Sequence, residues 1–115
     1  MEPIPFFYES INRNAIVVKP KKPFFDWLNN LDPEDPINGK EEANIYLIKE
    51  KDSNEAIERW LSRNFDQLFQ NELNDWYTDE NCWPPKRTYK LFKEWFDFEI
   101  HSMVLDLEET EITKD

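Results

Sequence analysis

The side chains able to do nucleophilic chemistry are few. The 115-residue chain has one histidine, His101, and one cysteine, Cys82, 19 positions apart. Ser102 adjoins His101, but neighbouring side chains on a strand point to opposite faces, so the two cannot act together there. His101 would share its face with Met103 and Leu105, where a hydrogen-bonded core histidine is the ordinary outcome. Carboxylates are plentiful, and Glu72, Asp75, Asp79 and Glu80 gather at the end of one long helical pattern. Glu72 and Asp75 stand at i, i+3 and share a face. The run lacks the alternating Asp/Asn ligands, central glycine and closing glutamate of a calcium-binding loop. A small carboxylate-based, metal-dependent hydrolase is therefore the alternative reading, and a solvated acidic face the leading one. No catalytic residue, metal ligand or cofactor is assigned.

Other chemistries fall away on composition. Loops that cradle phosphates bring several glycines close to the ligand, and this chain has a single glycine, in a proline-rich segment. One cysteine makes neither an intramolecular disulfide nor a cysteine-based zinc site. The net charge is −11, of which residues 1–51 carry −2 and residues 52–115 carry −9. Such a surface repels nucleic acid, whose phosphates need Lys and Arg contacts, and repels anionic membranes. It favours a basic protein partner, or, as the blander reading, serves only to keep the protein in solution. Lys19, Lys21 and Lys22, broken by Pro20, are expected to cap a sheet edge.

The acids after residue 70 are badly placed for a helix end. A helix C-terminus carries partial negative charge and prefers Lys or Arg; each carboxylate there costs about 0.3–1 kcal/mol at low salt. Beside Glu72, Asp75, Asp79 and Glu80 stand Trp76, Tyr77 and Trp83, aromatics of the kind enriched at binding hot spots. These seven residues form the candidate partner-binding surface; the alternative, and the favoured one, is that the aromatics are buried and pin the loop onto the core while the acids simply face water. Lys86, Arg87, Lys90 and Lys93 follow and are placed to neutralise part of it.

The elements that must position this cluster can be read from hydrophobic spacing. The first dozen residues, with Phe6-Phe7-Tyr8, read as an extended arm packing its rings on the domain. Asn14 to Lys19 reads as a strand buried on both faces. Pro23 opens a helix carried by Phe24, Trp27, Leu28 and Leu31 and stopped by Asp32-Pro33. Asn38-Gly39 marks a turn, and Ile45 to Ile48 is a second strand. A capping box from Asp52 to Glu55 starts about five turns of helix running from Ile57 to Trp76. Tyr89, Phe92, Trp95 and Phe96 mark another helix, Glu99 to Leu107 a third strand, and residues 108–115 a frayed acidic tail.

The order β-α-β-α-α-β predicts a single α/β (or α+β) domain over residues 1–115, its small three-stranded, mostly parallel sheet covered by helices. Eighteen aromatic residues, five of them Trp, supply a dense core. Their surplus makes a homodimer through an aromatic surface a further expectation. No apolar run is long enough to span a bilayer and no leader pattern opens the chain, so a cytoplasmic protein is expected.

Two stretches carry a resemblance. Val18-Lys-Pro-Lys-Lys-Pro-Phe-Phe-Asp-Trp-Leu28 and Arg87-Thr-Tyr-Lys-Leu-Phe-Lys-Glu-Trp-Phe96 resemble a group of small uncharacterised bacterial proteins, over most of the chain. No activity attaches to that group, so the resemblance carries over no functional residue. In architecture and charge the chain is also similar to barstar-like ribonuclease inhibitors, which implies a non-enzymatic, inhibitor or immunity-type role. Fold alone does not imply function.

Overall fold

A computed structural model describes residues 10–34, 36–37 and 43–114. The Phe6-Phe7-Tyr8 cluster and the Asn38-Gly39 turn lie outside the described residues. In chain order the elements are β1 (Arg13–Pro20), α1 (Lys22–Leu31), β2 (Asn44–Lys49), α2 (Asn54–Trp76), a 3-10 turn (Glu80–Cys82), α3 (Tyr89–Trp95) and β3 (Phe96–His101).

The sheet corrects the expected strand directions. Its order is β2-β1-β3, and β1 pairs with both neighbours antiparallel. Among the described residues the fold is α+β, an antiparallel three-stranded sheet with three α-helices. The cause lies in α1, which is separated from β1 by Lys21 alone, spans about 15 Å and packs chiefly on α3. The Lys21 amide donates to the Trp95 carbonyl at 2.8 Å, fixing that corner. Because α1 stays at the end of the sheet, the chain re-enters from the end it left, and β2 runs antiparallel. The helical crossover operates one strand further out. β2 and β3 both oppose β1 and so run the same way, and α2, about 35 Å long, makes the return between them.

Alternation sorts the sheet into two faces. Asn14, Ile16 and Val18 of β1, Tyr46 and Ile48 of β2, and Phe96, Phe98 and Ile100 of β3 share the helix-facing side. Phe96 is the hub of the core, with ring centroids 5.3 Å from Phe24, 5.3 Å from Phe69 and 5.2 Å from Phe92. Tilted and edge-to-face pairs of this kind add about 0.5–1.5 kcal/mol each beyond their burial. On the opposite face Val17 is half-buried, while Ile45, Leu47, Glu99 and His101 are exposed.

Several local expectations shift. The N-cap of α2 is Ser53, whose hydroxyl accepts from the Ala56 amide at 3.1 Å, not Asp52. The third strand starts at Phe96, straight out of α3 with no loop, and ends at His101; beyond it, among the described residues, pairing continues as the Ser10–Leu105 bridge and the Ile11 amide donating to the Val104 carbonyl at 2.7 Å. Lys19 belongs to the central strand and Lys21 and Lys22 follow it, so they cap no sheet edge. Lys21 instead donates through Nζ to the Lys93 carbonyl at 3.0 Å, and Lys22 pairs with Asp26 at 2.8 Å. Among the described residues, no helix is long and apolar enough to cross a membrane.

Candidate functional site

The seven residues singled out at the end of α2 divide into three groups. Glu72 lies on the face of α2 turned toward β2 and is buried. Its Oε2 accepts from Asn44 Nδ2 at 2.6 Å and from the Tyr46 hydroxyl. Asn71 Nδ2 donates to the same hydroxyl at 2.9 Å, and Asp75 Oδ2 accepts weakly from Asn44 Nδ2 at 3.2 Å. Burial raises the Glu72 carboxyl above its ordinary range despite the lowering effect of its hydrogen bonds to Asn44 and Tyr46, and nearby Asp75 adds to the rise. Burial, then Glu72, pushes the Tyr46 phenol upward. Asn44 and Tyr46 thus latch the edge strand to the long helix. This carboxylate holds the fold together.

Trp83 and Tyr77 pin the loop that follows α2. Trp83 is buried, its indole donating to the Tyr77 carbonyl at 2.8 Å. Trp27 on α1 donates to the Cys82 carbonyl at 2.9 Å and meets the Tyr77 ring edge-on. Arg87 closes the loop against α2 through Nε to Asp66 Oδ1 at 2.7 Å and NH1 to the Pro84 carbonyl at 3.0 Å. Its guanidinium holds the Asp66 carboxyl below its ordinary range. Arg87 therefore neutralises an acid in mid-helix and leaves the terminal cluster alone.

Trp76, Asp75, Asp79 and Glu80 remain at the surface. Trp76 is 40% exposed, with its ring set edge-on against Phe24 and Phe25. It borders a shallow depression of about 350 Å³ that also involves Asn74, Asp75, Thr78 and Asp79. Asp79 caps the 3-10 turn, accepting from the Asn81 amide at 3.0 Å. Among the described residues, no Lys, Arg or His makes an ion pair with Asp75, Asp79 or Glu80, and the last turn of α2 contains no basic residue. The helix therefore ends with Asp75 in its last turn and no compensating base, whereas Asp79 and Glu80 lie past the helix, at the start of the 3-10 turn.

Other reactive groups are not assembled with this surface. His101 is exposed, its Nε2 3.2 Å from Glu99 Oε2, which corrects the expectation of a core histidine. Cys82 is a free thiol 3.7 Å from Asp79 Oδ2. No cluster of three or more His, Cys, Asp or Glu suited to a metal ion occurs among the described residues.

Sequence reasoning passed over the residues that organise this region from below. Asn14 is buried and ties the ends of both edge strands, accepting from the Lys51 amide at 2.7 Å and donating to the Ser102 carbonyl at 3.1 Å. Tyr46 lies in the run read only as a strand, and Asn44 stands just before that run, as the first residue of β2. Their alternate spacing, one strand face meeting one helix face, was the available signal. The chain matches no protein-family model, no curated protein and no solved structure.

Proposed function

We propose that this chain is a non-enzymatic protein-interaction module of the cytoplasm that docks a basic protein partner at the end of α2. The observation that carries the reading is Trp76, left 40% exposed beside carboxylates without an ion-pair partner among the described residues. A tryptophan seated on Phe24 and Phe25 offers a large contact area at small entropic cost. Asp75, Asp79 and Glu80 steer a cationic partner toward it and disfavour anionic ones. The uncompensated charge at the helix terminus supports the same reading, because a cationic partner would relieve it. An inhibitor or immunity role, in which this surface covers a basic site on another protein, is its specific form. A lone free thiol suits a reducing compartment.

Affinity capture from native lysate tests the reading, comparing wild type with a variant carrying Asp75→Lys, Asp79→Lys and Glu80→Lys. Proteins retained by wild type and lost with the variant support it. Identical recovery by both refutes it.

A further inference from the structure

β2 is an edge strand, and among the described residues no backbone hydrogen bond leaves it on the side away from β1. Its solvent face carries Ile45 at 67% and Leu47 at 44% exposure. Along this open edge, a groove of about 370 Å³ runs between β2 and α2, flanked by Trp60, Gln67 and Asn71. These belong to an uncharged stripe on α2, Trp60-Asn64-Gln67-Asn71-Asn74, spaced by four and three residues. Elsewhere the exposed surface of the helix bears charges such as Glu55, Glu58, Arg59 and Arg63.

We infer that β2 pairs antiparallel with β2 of a second copy of this chain, about a twofold axis at Tyr46. Three observations select that occupant. First, a chain with net charge −11 repels its own copy except where charge is missing, and this groove is the charge-poor part of α2. Second, a side-chain amide both donates and accepts, so Gln67 or Asn71 can bond its own counterpart across a twofold axis, as a carboxylate cannot. Third, the strand is self-complementary. With the axis at Tyr46, Ile45 faces Leu47 of the second copy, and the symmetric pair repeats it, giving two apolar cross-strand contacts. Moving the axis to Leu47 would set Ile45 against Lys49. Edge strands that must stay single usually carry charge along their length; here the only charged residue of β2 is Lys49, at its end. The contact is isologous and joins two three-stranded sheets into one.

Sedimentation equilibrium of the full chain at tens of micromolar tests the pairing. Wild type should give twice the 14.1 kDa chain mass. Ile45→Lys and, separately, Gln67→Glu should each raise the dimer dissociation constant at least about tenfold. Both positions are exposed, and an unchanged far-ultraviolet circular dichroism spectrum shows that the fold survives. Trp76→Ala should leave the dimer intact, which separates this interface from the proposed partner surface. A monomer at every concentration, a dimer that withstands both charged variants, or one that Trp76→Ala dissociates would overturn the pairing.

Discussion

The carboxylate of Glu72 on α2 accepts a hydrogen bond from the phenol of Tyr46 on β2, across the seam between the long helix and the edge strand. An acid that belongs by sequence to a surface cluster is here a buried structural group. That separates it from its neighbours: Glu72 positions the strand, while Asp75, Asp79 and Glu80 meet solvent.

Glu72 should influence stability through both its bonds and its charge. Glu72→Ala leaves the Asn44 amide and the Tyr46 hydroxyl without their shared acceptor, and should cost about 1–3 kcal/mol in denaturant unfolding. Glu72→Gln keeps an acceptor and removes the titration. Because burial raises the folded-state pKa above the ordinary 4.5, the contribution of the titrating carboxyl to stability is fully present below that value. It is lost as pH rises through the raised one. The stability of Glu72→Gln relative to wild type should therefore climb with pH across that window. Thermal melts of both proteins over a pH series check this; an offset independent of pH contradicts it.

The start of α2 offers a sharper local test. Ser53→Ala should cost about 1 kcal/mol, the usual loss for an N-cap hydroxyl. Asp52→Ala should stay within about 0.5 kcal/mol of wild type, as an exposed substitution away from the cap. Urea midpoints of the two variants decide the matter, and the reverse ranking would restore Asp52 as the cap.

Tyr89 carries a buried hydroxyl with no hydrogen-bond partner among the described residues. Its ring packs near Phe65 and Phe92, with Lys93 Nζ 4.6 Å from its centroid. Tyr89→Phe keeps these contacts and removes the unsatisfied group, so stability should rise, by up to about 1–3 kcal/mol. A loss of more than about 1 kcal/mol in the same unfolding measurement would mean the hydroxyl has a partner.

The helices were the legible part of this fold. The spacing of Ile57, Leu61, Leu68, Phe69 and Leu73 places them on the buried face of α2, where all five lie. Pro23 and Asp32 mark the two ends of α1. Strand direction was hidden, because it depends on where α1 packs, and the Lys21–Trp95 contact that sets this joins residues 74 positions apart. The third strand was misplaced for a related reason. Phe96 satisfies both the helical stripe of Tyr89, Phe92 and Trp95 and the alternation of Phe98 and Ile100. Hydrophobic period cannot divide a residue that two elements share.

The candidate site was legible as composition and hidden as geometry. Charge and residue type located the end of α2, and the structure retains Trp76 and three acids there as an exposed group. Burial of Glu72 and Trp83 depends on partners distant in sequence, Tyr46 in one case and the loop closed by Arg87 in the other. No spacing rule reaches that far.

Trp76→Ala isolates the central claim, since it deletes the exposed ring and leaves every carboxylate in place. The measurement is quantitative affinity capture from native lysate with wild type and Trp76→Ala side by side, after circular dichroism has shown both folded. Proteins held by wild type should be released by moderate salt and lost with Trp76→Ala. Equal recovery by the two would contradict a binding surface at the end of α2.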